Sequence, residues 1–209
     1  MIKKKPYNYL ANGLLVLVFL IANICVGQSE LLTKKELRKA TVYSYKEAVV
    51  AIPSEVYKIK LTPETVDSFL LNFSLFTNLQ SLDMSKCNLD DFPNSITKIS
   101  TLQELIISYN PISSIPSEIG NLSQLKWLYA NFIKATTFPS SIKKLTHLHT
   151  LYLWGSELTH FPPEIEALKS TLKLINIRSV KMPRKTAKAL RNQLSETKIR
   201  YSYKCDCDF

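Results

Sequence analysis

Few residues in this sequence have the types and spacing that catalysis or metal binding requires. His147 and His149 would share one face of a strand, and Cys205 and Cys207 flank Asp206 in a Cys-x-Cys pair. Neither pair has the further ligands nearby that a zinc site needs. The sequence also lacks the Gly-x-Ser-x-Gly and His-Glu-x-x-His motifs and the glycine-rich phosphate-binding motifs. We therefore predict no catalytic residues, no metal and no cofactor.

Aromatic residues offer binding chemistry instead, because Trp and Tyr are enriched among the residues that dominate binding energy. Several of them recur at an interval of 23 residues, as Tyr109 does with Phe132 and Tyr129 with Tyr152. The chain has 209 residues, a formal net charge of +10 and enough apolar residues for a sizeable core. Its composition excludes a disordered chain. The interval indicates that a structural repeat positions the aromatic residues.

The same interval governs the apolar residues from Val56 onward. Six columns of similar residues align over four repeats. One of these columns contains only proline, and two contain only leucine. Fixed-period self-similarity of this kind is typical of repeat architectures. The three columns are Pro93, Pro116, Pro139 and Pro162; Leu79, Leu102, Leu125 and Leu148; and Leu82, Leu105, Leu128 and Leu151.

Each repeat contains a strand signal and a return segment. Leu82 and Met84 alternate with polar residues, and this period of two predicts a strand with one buried face. The proline that follows cannot donate a ladder hydrogen bond, so it belongs on an extended return segment. A single repeat cannot bury its own apolar row, whereas stacked repeats share one continuous core.

The repeat unit reads L-x-x-L-x-[LIMA]-x-x-x-x-[LIA]-x-x-[FI]-P-x-x-I-x-x-[LI]. It resembles the 23-residue class of the leucine-rich repeat family, as found in exported bacterial members. The resemblance implies an α/β solenoid: a right-handed superhelix with a parallel concave sheet and capping helices. The family usually has Asn or Cys at the ninth position, bonding the turn. Cys87, Asn110 and Ser156 fit that column, whereas Ile133 and Val180 do not, so we expect no continuous asparagine ladder.

The first residues are predicted to be an export signal. Lys3, Lys4 and Lys5 precede the apolar stretch of ten residues from Gly13 to Ala22, which is short for the roughly 20 residues that a bilayer span needs. Two alternatives are an uncleaved anchor over residues 10–27 and a lipid anchor at Cys25. All three interpretations place the rest of the chain outside the cytoplasm, secreted or in the cell envelope (periplasm or cell surface).

The predicted organisation has four parts. Residues 1–27 are the signal peptide, 28–55 a linker and helical cap, 56–183 about six repeats, and 184–209 a cap helix, strand and tail. The N-terminal cap helix is expected over Ser44 to Val50. The C-terminal helix is expected over Arg184 to Leu194, followed by a strand through Ile199, Tyr201 and Tyr203.

The concave face is predicted to carry the binding site, because alternate strand residues point away from the core. A cluster of aromatic rings there would exceed the apolar patch that an ordinary monomer exposes. Alternatively, the rings merely cover the sheet, or they join two copies of the chain. The predicted partner-binding residues are Glu104, Ile106, Tyr109, Trp127, Tyr129, Asn131, Phe132, Tyr152, Trp154 and Arg178.

A protein is the partner that we predict first, and a glycan stacking on the same rings is the alternative. An enzyme is the least favoured function. Basic residues are concentrated at the C-terminal end, with nine between Arg178 and Lys204 against one acid. Membrane contact is expected only through this cap or an uncleaved N-terminal segment. We predict no nucleic-acid partner, because the chain is exported and its basic residues lack interleaved stacking aromatics except Tyr201 and Tyr203.

Overall fold

Within residues 30–202, eight parallel strands form one sheet, and their order along the sheet is their order along the chain. The computed structural model describes residues 30–202, so the predicted export signal, Tyr203, Cys205 and Cys207 lie outside the described residues. Each strand has three residues. The strands are β1 Val42–Ser44, β2 Lys58–Lys60, β3 Ser81–Asp83, β4 Glu104–Ile106, β5 Trp127–Tyr129, β6 Thr150–Tyr152, β7 Leu174–Asn176 and β8 Lys198–Arg200.

Residues that lie 23 apart in the repeats pair with each other on neighbouring strands. Leu82 pairs with Leu105, and Leu128 pairs with Leu151, so the predicted leucine column becomes a row across the sheet. These central residues are buried, while the residues beside them face the opposite, concave side. Strands with one buried face are therefore confirmed, and with them the α/β solenoid and its parallel concave sheet.

The return segments are short 3₁₀ helices, each preceded by a proline of the repeat. Pro93, Pro116, Pro139 and Pro162 are the N-caps, with extended backbone and φ between −66° and −74°. Proline fixes φ near this value, which explains why the column is invariant within the chain. The 3₁₀ helices are Asn94–Lys98, Ser117–Asn121, Ser140–Lys144 and Pro163–Leu168.

The first return segment lacks the proline, having Leu70 in its place, and contains helix α3, Val66–Asn72, followed by the 3₁₀ helix Phe73–Leu75. Upstream, α1 is Lys34–Lys39, α2 is Tyr45–Ala48, and a 3₁₀ helix spans Pro53–Glu55. Helix α2 lies within the segment expected to form the N-terminal cap. Helix α1 and strand β1 were not predicted, so the sheet begins one strand before Val56.

Capping boxes start both upstream helices. Thr33 accepts a hydrogen bond from the backbone N–H of Glu36, whose carboxylate accepts one from the N–H of Thr33. Ser44 and Glu47 repeat the arrangement in α2. Each box satisfies two of the backbone donors that a helix start leaves unpaired.

Helix α4, Arg184–Gln193, and strand β8 close the other end of the array. Ala187 and Leu190 are buried, while the basic residues of α4 are exposed, as its amphipathic pattern predicts. Between residues 30 and 202, no helix is both long enough and apolar enough to cross a membrane.

The ninth column of the repeat supports the turns at two positions. The Asn110 amide donates to the carbonyls of Met84 and Ile107, at 2.8 and 2.9 Å, and accepts from the N–H groups of Cys87 and Leu89. Ser156 donates to the carbonyl of Ala130. Ile133 has no polar side-chain atom, so an unbroken ladder is excluded, as expected.

Candidate functional site

Three aromatic side chains form a continuous exposed row at the ends of neighbouring strands. We call Tyr109, Phe132 and Trp154 the aromatic strip. They are 45%, 37% and 42% exposed, respectively. The Tyr109 and Phe132 rings stack with centroids 4.8 Å apart, and the Trp154 ring meets Phe132 edge-on, also at 4.8 Å. Three of the predicted binding residues therefore share one surface.

The backbone under the aromatic strip is held in a costly conformation. Tyr109 and Phe132 have φ values of +60° and +54°, in the left-handed region that bulky residues rarely adopt. Such a conformation costs roughly 1–2 kcal/mol per residue. Gly155 occupies the same column of the next repeat with φ +68°. The left-handed turn directs the two rings across the ends of the strands.

Gly155 makes room for the Phe132 ring. A Cβ atom at this glycine would lie 2.4 Å from Cε1 of Phe132, far inside van der Waals contact. The absence of a side chain at Gly155 therefore allows the ring of Phe132 to lie over the next turn, between Tyr109 and Trp154. The sequence alone did not reveal this role, because the approach of the Phe132 ring to Gly155 depends on how the neighbouring turn is folded.

Asn131 supports the aromatic strip from below. Its side-chain carbonyl accepts a hydrogen bond from the backbone N–H of Trp154 at 2.8 Å, and its own N–H donates to the Ser108 hydroxyl at 3.1 Å. Asn131 was predicted to face a partner. Its Oδ1 instead holds the turn that carries Trp154, so its main role in this structure is to position that ring.

Tyr129 and Tyr152 stack beside the aromatic strip, with centroids 5.2 Å apart. Both are half-buried, as is Ile106 on the neighbouring strand. Burial, followed by the charge of Glu104, raises the pKa of the Tyr129 hydroxyl above its usual value.

An open cleft of about 520 Å³ adjoins one end of the aromatic strip. Tyr109, Tyr129 and Asn131 line it on one side, and Lys60 and Lys86 line it on the other. The cleft extends the candidate surface toward the N-terminal end of the array.

Trp127 does not belong to the exposed surface, so its prediction was wrong. It points away from the core as expected, but only 7% of it is exposed. The ammonium of Lys34, on α1, lies 5.0 Å from the centre of the ring. The N-terminal segment covers this part of the concave face, and Trp127 packs beneath it.

Two glutamines hold that covering segment in place. The N–H of Leu32 donates to Gln80 Oε1 at 2.8 Å, and Gln103 donates to the Leu32 carbonyl at 2.9 Å. Gln103 also donates to Gln80 at 2.6 Å, and both side chains are fully buried. Leu37 adds a buried apolar contact on α1. We call residues 31–39 the N-terminal strap.

The charged residues around the aromatic strip are partly neutralised within the fold. Glu104 accepts a hydrogen bond from Ser81 at 2.7 Å, and Asp83 lies 3.8 Å from the ammonium of Lys60. Arg178 is exposed, and its Nε donates to Asn176 at 3.2 Å. Of the two charged residues among the predicted binding residues, Glu104 is half-buried and Arg178 is accessible.

Catalytic and metal chemistry find little support among residues 30–202. No cluster of three or more potential metal ligands occurs there. His147 contacts the carbonyl of Ser123 at 2.9 Å, and His149 contacts Thr150 at 3.1 Å. Cys87 is buried, and this burial is the largest cause that raises the pKa of its thiol to about 11. A thiol with that pKa is a poor nucleophile at neutral pH.

Comparisons with known proteins give the same architecture. The family description "leucine-rich repeat region" matches residues 64–201. No curated protein is similar enough to match the chain. A leucine-rich repeat protein of Leptospira interrogans shares 22% identity and a TM-score of 0.55, over 81% of this chain and 51% of that chain.

Two further solved structures share the fold. An internalin of Listeria monocytogenes has 19% identity and a TM-score of 0.53, over 71% of this chain and 40% of its own. The leucine-rich repeat ectodomain of an Arabidopsis thaliana membrane receptor kinase, in complex with Casparian strip integrity factor 2, has 20% identity and a TM-score of 0.52. The match covers 18% of the receptor chain and 71% of this chain. This chain spans about half the length of the Leptospira protein, and less of the others. With the family match over residues 64–201, the chain belongs to the leucine-rich repeat family.

Proposed function

We propose that this chain is a non-catalytic, exported binding module that contacts a protein partner through the aromatic strip. The observation that carries the proposal is the exposure of Tyr109, Phe132 and Trp154 in one row. Their exposed fractions leave roughly 250 Å² of ring surface open to solvent, taking about 200 Å² for each whole side chain. Burying that area under a partner is worth at most about 6 kcal/mol. The area does not exceed the apolar patch of an ordinary monomer, contrary to the prediction from the sequence, because Trp127 is covered and Tyr129 and Tyr152 are half-buried.

Contacts between the rings do not by themselves explain the aromatic strip. Each ring pair is worth about 0.5–1.5 kcal/mol beyond its buried area. The left-handed backbone at Tyr109 and Phe132 costs a similar amount, roughly 1–2 kcal/mol each. Because these two effects nearly cancel, the rings stabilise the fold mainly through their buried parts, to which the exposed faces contribute nothing. The left-handed turn recurs at Lys86, Gly155 and Ser179, so it belongs to the repeat, and the presence of bulky rings at two of these positions supports a binding role.

A protein partner fits the ring geometry better than a glycan. A sugar packs its apolar face flat on an open aromatic face, whereas Tyr109 and Phe132 stack on each other at 22°. Edges and partial faces of this kind suit apolar side chains, which fill irregular surfaces. Solenoids present such concave surfaces to partners, and the receptor ectodomain that shares the fold was solved in complex with Casparian strip integrity factor 2.

Export is supported by the lysines and short apolar stretch before residue 28, and by the description of one structural neighbour as an ectodomain. We place the chain outside the cytoplasm, secreted or in the cell envelope.

A paired screen tests the proposal. The full chain and a Tyr109→Ser/Trp154→Ser variant are each presented to a displayed library of random 12-residue peptides and to a glycan array. Leu71→Ser is the matched control, because Leu71 is an apolar residue outside the strip that is 83% exposed. We expect peptide enrichment by the wild-type and control chains, and none by the double variant. Enrichment that survives the double variant, or strip-dependent binding to glycans alone, contradicts the proposal.

A further inference from the structure

Both ends of the aromatic strip carry an exposed cation. Lys86 precedes Tyr109 in the turn column, with φ +58°, and its ammonium lies 5.4 Å from the centre of the Tyr109 ring. Arg178 follows Trp154 at the other end, where its backbone carbonyl accepts from the N–H of Gly155 at 3.0 Å. The row therefore runs cation, three rings, cation.

These two charges are available to a ligand. In the part of the chain that the structure describes, the ion pairs join other cations: Lys60 with Asp83, Lys173 with Glu196, and Lys181 with Glu157. Glu104, the remaining concave carboxylate near the strip, accepts from Ser81. Lys86 and Arg178 thus lack a carboxylate partner among residues 30–202, and a partner with carboxylates would complement them.

The separation of the two cations sets the length of the ligand. Lys86 follows β3 and Arg178 follows β7, so four strand spacings of about 4.8 Å separate them, or about 19 Å. An extended chain advances about 3.3 Å per residue, so about six residues span this distance. A peptide lying across the strand ends would cover all three rings on the way.

The N-terminal strap restricts where such a peptide lies. It covers Trp127 and is fixed by Gln80 and Gln103 at the beginnings of the strands. The open surface is therefore the row at the ends of the strands, together with the cleft between Lys60 and Tyr109. This row is narrow and long, which favours one extended segment over a broad globular surface.

We infer that the aromatic strip binds an extended peptide segment of a partner protein, with an apolar centre of about five residues and a carboxylate at each end. The inference rests on the proposed function and specifies its ligand. The apolar centre covers Tyr109, Phe132 and Trp154, and the carboxylates pair with Lys86 and Arg178. Exposed ion pairs are weak, so the rings supply most of the affinity and the charges supply selectivity.

The sequences selected from the displayed 12-residue library test this inference with the full chain. We expect peptides that carry Asp or Glu on both sides of an apolar centre. The tightest selected peptide, labelled with fluorescein and followed by anisotropy, should bind Lys86→Gln/Arg178→Gln about fivefold more weakly at low salt. Lys98→Gln/Lys143→Gln removes the same charge from exposed return-segment residues and should leave the affinity unchanged.

The outcomes separate this inference from the proposed function. Selected peptides that depend on the aromatic strip but have neutral or basic flanks contradict the charge assignment and leave the binding module intact. Equal affinity for the two double-glutamine variants contradicts it in the same way. If no peptide depends on Tyr109 and Trp154, both the inference and the proposed function are overturned.

Discussion

Gly155→Ala tests the geometry of the aromatic strip with the smallest available change. The added methyl would lie 2.4, 2.8 and 2.9 Å from three atoms of the Phe132 ring. Because carbon atoms pack at about 3.5–4.0 Å, the ring must move by about 1 Å or more. The substitution also places alanine at φ +68°, where a side chain is disfavoured.

The expected loss of stability follows from these two effects. The left-handed conformation costs roughly 1–2 kcal/mol for a residue with a Cβ atom. Displacing Phe132 weakens its contacts with Tyr109 and Trp154, each worth about 0.5–1.5 kcal/mol. We therefore expect Gly155→Ala to lower the free energy of unfolding by about 2–4 kcal/mol.

A double-mutant cycle separates the clash from the backbone effect. Urea unfolding is measured for the wild type, Gly155→Ala, Phe132→Ala and the combined variant. With the ring removed, the alanine substitution should cost only the backbone term, roughly 1–2 kcal/mol. Ser179→Ala is the matched control, since Ser179 already carries a side chain in the same turn column at φ +56°. An equal cost of Gly155→Ala with and without the Phe132 ring would show that the glycine is not required to accommodate the ring.

Three further predictions concern the scaffold and the strap. Burial raises the pKa of Cys87 to about 11 in the folded chain, so as the pH rises the thiol of the unfolded chain ionises first. The free energy of unfolding should therefore fall between pH about 9 and 11. Urea titrations across this pH range should show a smaller fall for Cys87→Ala. Asn110→Ala should lower the free energy of unfolding by about 3 kcal/mol, because it leaves buried backbone groups unpaired, and a loss below about 1 kcal/mol would contradict that role. Leu37→Ser should loosen the N-terminal strap and shift the fluorescence emission of Trp127 to longer wavelength, measured with Trp154→Phe as background; an unchanged emission would show that the strap does not depend on this contact.

The repeats could be predicted in detail because buried positions dictate residue type. Leu82, Leu105, Leu128 and Leu151 each fill the same site in successive turns of the chain, so the same requirement appears at a fixed interval in the sequence. The prolines before the 3₁₀ helices follow the same logic. Strand number was underestimated because β1 packs at the end of the array, where a residue need not match the repeat.

The strip itself was predicted less completely than the scaffold. Its rings lie on the expected face, because the period of two in a strand determines which side a residue occupies. Accessibility does not follow from that rule, since it depends on segments outside the repeat. The strap covers Trp127 from more than 80 residues upstream. The capping-box pair Thr33 and Glu36 and the apolar Leu37 are a sequence signal for helix α1, which was not predicted. No sequence rule states where that helix docks.

The roles of Asn131 and Gly155 in the aromatic strip were also revealed by the structure alone. A polar residue on the concave face can contact a partner or its own backbone, and the sequence does not distinguish these uses. The bond from the N–H of Trp154 to Asn131 and the approach of Phe132 to Gly155 both depend on left-handed turns at Tyr109 and Phe132. Bulky residues are poor indicators of that conformation, because most of them avoid it.

Collisional quenching of Trp154 is the sharpest test of a binding site on the aromatic strip, because the two tryptophans of the chain lie in opposite environments. With Trp127→Phe, all indole fluorescence comes from Trp154, and acrylamide quenching is measured before and after saturation with the tightest selected peptide. We predict strong quenching of the free chain and a severalfold reduction when the peptide is bound. Trp154→Phe, which retains only the covered Trp127, should show weak quenching in both states. Quenching of Trp154 that the bound peptide leaves unchanged would contradict a binding site on the aromatic strip.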